Sequence, residues 1–196
     1  MTPTGDGRVR CDWCYGSELY VRYHDEEWGV PVRDDDTIFE FLVLEAFQAG
    51  LSWLTILRKR PRFRHAFVGF DPARVASFGE ADVSRLLADA GIVRNRRKIE
   101  AAIHNARLFI DLQEKWDGFH RYIWRFVDNR PVTNQWSTMA EVPATTPLAE
   151  TISAELRRHG FRFLGPTVVY AHMQATGMVN DHLLGCFRHR QVRDLT

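Results

Sequence analysis

Hydrophobic positions along this chain recur at helical spacing, and alternation of period two is nearly absent. Asp34, Asp35 and Asp36 offer N-caps for an apolar run over 37–49, which Gly50 stops. A second helix over 52–58 is expected to break near Pro61. Residues 80–90 repeat the pattern and end at Gly91. The longest run, 94–116, places Ile99, Ile103, Ala106 and Ile110 on one face, with Arg96, Arg97, Glu100 and Arg107 elsewhere. Residues 118–127 form a shorter aromatic run. The polar stretch 131–143 reads as a connection between two lobes. Thr146 caps a helix that opens on Pro147 and runs to His159, and a further helix starts at Pro166 and runs to about Thr176. There is no internal repeat and no low-complexity segment. The pattern predicts an all-α protein: a disordered extension over 1–10, one domain of two lobes sharing a cleft over 11–190, and a tail over 191–196.

The turn between the last two helices is the most informative local feature. Its six residues begin and end on glycine, Gly160 and Gly165, which permits positive φ and close approach of another backbone. Free N–H groups at a helix start suit a phosphate oxygen, so such a hairpin can hold one DNA strand without reading its sequence. An ordinary connection between two helices has the same pattern. In either case Phe161, Phe163 and Leu164 are expected to plug the turn into the core.

Composition narrows the classes. Apolar residues make up 45% of the 196, enough for a sizeable core. A net charge of +1 excludes a bulk basic packer of nucleic acid. Of the 26 basic residues only Lys59, Lys98 and Lys115 are lysine; the arginines fit either codon bias or phosphate contact. No stretch approaches the ~20 apolar residues of a membrane span, and residues 1–10 carry no signal-peptide core, so a cytoplasmic protein is expected. Three cysteines in a reducing compartment point to metal binding or free thiols rather than to a disulfide framework.

Two constellations carry chemistry. Cys11 and His24 near one end, with His182 and Cys186 one helical turn apart near the other, would together supply the two thiols and two imidazoles of a closed tetrahedral zinc site; taken singly, each histidine reads as an ordinary surface or core residue and each cysteine as a small hydrophobe. Cys14 makes a rival Cys-x-x-Cys pair with Cys11, and His189 is a further candidate. Residues 11–31 also hold Trp13, Tyr15, Tyr20, Tyr23 and Trp28, and a second aromatic, Trp53, follows Glu45. Glu45 shares an apolar face with Ile38, Phe41 and Leu42, where a carboxylate needs a partner. An arginine is the ordinary partner. Amid aromatic faces, the same carboxylate suits a planar cation that bears hydrogen-bond donors.

At these residues the chain resembles 3-methyladenine DNA glycosylase I, of the helix-hairpin-helix glycosylase superfamily. The matching blocks are RCDW (10–13), YVRYHDEEWGVP (20–31), LEAFQAGLSW (44–53), DAGIVRNRRKIEAAIHNA (89–106), the segment around the hairpin, and VNDHLLGC (179–186). The resemblance implies a helix-hairpin-helix fold with its ends joined by one structural zinc per chain, held by Cys11, His24, His182 and Cys186. It implies that Glu45 contacts the excised base, that Trp13, Tyr20, Tyr23, Trp28 and Trp53 line the base pocket, and that Leu51 enters the duplex. The expected partner is double-stranded DNA containing alkylated bases, bound by a monomer. A lyase needs an amine nucleophile, and all three lysines lie outside 160–177, so hydrolysis leaving an abasic site is expected. Asp181 lies roughly where related enzymes activate water, but a role beside His182 is the simpler reading. Two rivals remain at this stage: a non-catalytic zinc module that recognises DNA structure, and a zinc hydrolase, which needs an open coordination position.

Overall fold

The computed structural model describes residues 6–195. Helices dominate. In chain order they are α1 (Glu18–Glu26), α2 (Asp35–Gln48), α3 (Trp53–Ala66), α4 (Pro72–Ala76), α5 (Glu80–Ala88), α6 (Arg96–Trp116), α7 (Phe119–Trp124), α8 (Pro147–Arg158), α9 (Pro166–Ala175) and α10 (Phe187–Arg193). The described residues include no helix long and apolar enough to cross a membrane. The expected disordered extension lies, over residues 1–5, outside the described residues. Asp6 to Arg10 are described, and the Arg10 guanidinium is buried on the Asp25 carboxylate at 2.7 Å.

Capping decides where the main helices start. Asp34 caps α2 by accepting from Thr37 N at 2.8 Å. Asn95 and Thr146 do the same for α6 and α8, and prolines open α8 and α9. Asp35 turns the other way: its carboxylate accepts from the backbone N–H groups of Phe119 and His120 and fixes the start of α7. α2 is the central helix, with every residue from Ile38 to Phe47 buried, so it has no solvent face for a stripe to mark. It packs on α3, α6 and α9.

Three expectations need correction. α3 does not break near Pro61 but continues through it to Ala66. Proline inside a helix costs about 3 kcal/mol; here burial of Ile56, Leu57, Phe63 and Ala66 outweighs that cost. The connection over 131–143 is not wholly irregular. Its residues β1 (Val132–Thr133) pair in parallel with β2 (Val179–Asn180), just beyond α9. Finally, Phe163 does not plug the core; it is 38% exposed at φ 59°, while Phe161 and Leu164 are buried.

The end of α9 meets the segment after α1 backbone to backbone. Gly29 N donates to Gln174 O and Val32 N to Thr176 O, both at 3.0 Å. A Cβ on Gly177, which has φ +69°, would lie 2.4 Å from the Val30 carbonyl carbon, so only glycine fits there.

One core histidine is out of place chemically. His172 on α9 is 2% exposed, and neither ring nitrogen has a hydrogen-bond partner. Burial holds its pKa down to about 3, against 6.5 when unfolded. Between those values the unfolded chain takes up a proton that the native chain refuses, so stability falls as pH drops, by about 1.4 kcal/mol per unit. His172→Phe should remove this dependence and raise the unfolding midpoint at pH 5 more than at pH 8. Urea titrations at the two pH values measure it; an equal shift at both would show that protonation plays no part.

Candidate active site

α1 carries Tyr20, Tyr23 and His24 within little more than one turn, so one short helix serves two adjacent sites. The first is a cavity of about 190 Å³ lined by Trp13, Tyr20, Tyr23, Trp28, Glu45 and Trp53, the six residues singled out in the sequence. Gln48, Met139, Ala171 and Gln174 complete the wall. The rings meet at angles rather than in a stack. Trp13 lies edge-on to Tyr20 and to Trp28, with centroids 5.0 Å apart in each case, and Tyr23 is 5.6 Å from Trp53.

Glu45 is 3% exposed and has no ion pair among the described residues; its Oε2 is buried without a hydrogen-bond partner. Burial alone raises its pKa to about 8. The same helix shows the alternative. Glu40 is also buried, but hydrogen bonds from Arg64 and Arg60 overcome that burial and hold its carboxyl below the ordinary range. Burial, with the Glu45 carboxylate second, raises the pKa of Tyr20 and Tyr23, so both hydroxyls keep their protons and remain donors.

The second site is the cluster at the chain ends. Cys11, His24, His182 and Cys186 are all buried, with one potential ligand atom from each lying within 4.8 Å of the others. Cys186 Sγ is 3.4 Å from His24 Nε2 and 3.7 Å from His182 Nδ1; Cys11 Sγ is 3.8 Å from His182 Nδ1. The outer nitrogens are committed elsewhere. His24 Nδ1 donates to Asp25 at 2.8 Å, and His182 Nε2 to Trp28 O at 2.9 Å. Arg10 in turn grips Asp25. Such outward bonds fix the ring orientation and leave the inward nitrogens as lone-pair donors. The hydrogen bond between the thiols drives Cys186 towards thiolate and raises Cys11. Cys14 is not in the cluster, because its Sγ donates to Cys11 O at 3.1 Å. His189 is occupied with Asn134 O.

The two sites share walls. The Trp13 ring packs edge-on to His24 at 5.4 Å, and Trp28 edge-on to His182 at 4.6 Å. Leu51, 41% exposed, projects between Gln48 at the end of α2 and Trp53 at the start of α3. Lys98 Nζ donates to Phe47 O and Ala49 O and ties down the turn that carries Leu51. In the α8–α9 turn, Gly160 has φ +97°, whereas Gly165 is extended with open space where a Cβ would be. Asn105 on α6 clamps this turn by bonding both the N–H and the C=O of Arg162.

The family model described as methyladenine glycosylase matches residues 13–189. The chain belongs to the methyladenine glycosylase family. It is 46% identical over 177 residues to the DNA-3-methyladenine glycosylase 1 of Escherichia coli strain K12, covering 90% of this chain and 95% of that protein. A crystal structure of 3-methyladenine DNA glycosylase I superposes with a TM-score of 0.89 at 45% identity, covering 91% of this chain and 98% of the other. A variant of such a glycosylase solved in complex with 3-methyladenine has a TM-score of 0.88 at 32% identity, covering 91% and 96%.

The raised carboxyl of Glu45 inside an aromatic cavity carries a measurable cost. Because Glu45 holds its proton up to about 8 when folded and loses it near 4.5 when unfolded, stability falls as pH rises between those values. Glu45→Gln should gain on the wild type by up to about 1.4 kcal/mol per pH unit across that window. Unfolding titrations at pH 5 and pH 8 test this; a constant difference would mean that Glu45 ionises freely.

Proposed function

We infer that this chain is a DNA-repair glycosylase that hydrolyses the N-glycosidic bond of 3-methyladenine and leaves an abasic site. The observation that carries the reading is the unpaired Glu45 within a ring of aromatic side chains. A base stacked in a duplex cannot be surrounded, so the nucleotide must be extruded, at a cost of a few kcal/mol that is lowest for a damaged base. Leu51 fills the gap, and the hairpin over 160–165, read as the helix-hairpin-helix element of the fold, holds the backbone where it leads into α9. Residues 11–190 act as one unit on duplex DNA, as a monomer.

Discrimination is electrostatic. Methylation at N3 makes adenine a cation and a good leaving group. Each aromatic face contributes about 0.5–2 kcal/mol to holding a cation, so several must act together. Glu45 adds an anion that the cation itself calls into being: in the empty cavity the group is mostly protonated at neutral pH, and a positive neighbour favours release of that proton. Neutral adenine offers no such compensation and is rejected.

The donor set of Cys11, His24, His182 and Cys186 fits zinc: two sulfurs, two imidazole nitrogens, and outer N–H groups already engaged. Four protein ligands leave no position for water, so zinc supplies a cross-link between the two chain ends and no chemistry at the base. A zinc hydrolase would need an open position there. A DNA-binding module without catalysis would have no use for a buried, unpaired Glu45.

Two assays test these assignments. Release of 3-methyladenine from methylated DNA should fall about 10- to 100-fold in Glu45→Gln, the value of a charged hydrogen bond. In the wild type, kcat/KM should climb with pH, up to about tenfold per unit, and level off above pH 8; the variant should show no such rise. Wild-type rates in Glu45→Gln would remove Glu45 from the site. For the metal, elemental analysis should find one zinc per chain in the wild type and in Cys14→Ser, and a loss of zinc with a lower melting temperature in Cys186→Ala. Full stability of a zinc-free Cys186→Ala chain would refute the cross-link.

A further inference from the structure

Among the polar residues of the cavity wall is Gln174 on α9. Behind it lies Asp181, 1% exposed, which accepts four hydrogen bonds. Its Oδ1 takes Asn134 Nδ2 at 2.6 Å and Trp136 Nε1 at 2.8 Å. Its Oδ2 takes the Tyr170 hydroxyl at 2.6 Å and Gln174 Nε2 at 2.8 Å. A carboxylate so fully engaged has no lone pair to spare for activating water, which disposes of the proton-acceptor reading of Asp181. It does something else. A carboxyl whose two oxygens already take four donors acts only as acceptor, so the Gln174 amide must turn its NH₂ towards Asp181. This chemistry settles the orientation of a side chain whose oxygen and nitrogen are otherwise hard to tell apart. Oε1 is then left as an acceptor that no donor among the described residues reaches, on a side chain that lines the cavity.

We propose that Gln174 determines specificity within the purine lesions, its amide oxygen held by Asp181 as a fixed acceptor for the exocyclic amine of the bound base. The proposal rests on reading the cavity as the base pocket. An alkylated guanine carries a carbonyl oxygen where adenine carries that amine. Facing Oε1, it would set two acceptors against each other and leave both unsatisfied. Asp181 is a positioning residue: it never touches the base but forbids the amide flip that would turn a donor towards it. Through Trp136 it also braces the segment that brings Met139 to the cavity.

The experiment compares kcat/KM for release of 3-methyladenine and of 3-methylguanine from methylated duplex DNA. In Gln174→Leu the ratio should drop about tenfold or more, with 3-methyladenine release falling and 3-methylguanine release unchanged or increased. Asp181→Asn, whose amide lets Gln174 reverse, should shift the ratio the same way, and the double variant should shift it no further than Gln174→Leu alone. If Asp181→Asn fails to fold, Gln174→Leu decides alone. An equal loss on both substrates, or an unchanged ratio, would overturn the proposal and leave Gln174 as wall only. A wild-type protein that releases no 3-methyladenine would instead overturn the reading of the cavity.

Discussion

A carboxyl group removed from water with no cation beside it is a standing electrostatic debt, and the architecture is arranged around the one at Glu45. α2 is enclosed from Ile38 to Phe47, so no side chain in that stretch escapes burial. Glu40, five residues earlier, is neutralised by two arginines reaching across from α3. No basic side chain approaches Glu45 in this way among the described residues; aromatic rings do. The missing partner is left for a visitor to supply, and the rings limit that visitor to something flat.

The cavity depends on the chain ends as much as on the core. The described residues form two hydrophobic clusters, a large one under α2, α6 and α9 and a smaller one containing Cys11, Tyr23, Trp28, Leu183 and Cys186. Trp53 packs against both. The side chains proposed to hold zinc are thus the same ones against which Trp13 and Trp28 lean. Loss of the cross-link would disturb the aromatic wall directly, without passing through the main core.

Much of this could be read from the residues, and the failures have physical causes. α2 and α6 were legible because aspartate and asparagine caps precede long apolar runs. α1 was not outlined: its tyrosines face the cavity and its charged residues interrupt any stripe. Pro61 misled because local propensity was outweighed by burial of its neighbours. β1 and β2, two residues each, are too short to show a period. All six cavity residues chosen from the sequence do line the cavity, but Gln48, Met139, Ala171 and Gln174 were missed. A signal existed for the first: Gln48 follows Glu45 by three residues, on the same helical face. Met139 sits in a polar connector and had no pattern to reveal it. The choice between Cys11 and Cys14 turned on a single thiol-to-carbonyl bond that spacing cannot encode.

The cavity draws on residues near 13–28, 45–53, 139 and 171–174, and its supporting cluster extends to Cys186. Seven of its ten lining residues lie within 13–53, and the other three, Met139, Ala171 and Gln174, come from much later in the chain. The large cluster has the same dependence, since Val169, Tyr170, Met173, Met178 and Val179 belong to it, so core and cavity close together. A chain cut short before α9 therefore lacks both a wall of the cavity and part of the core beneath it, and cannot hold a base.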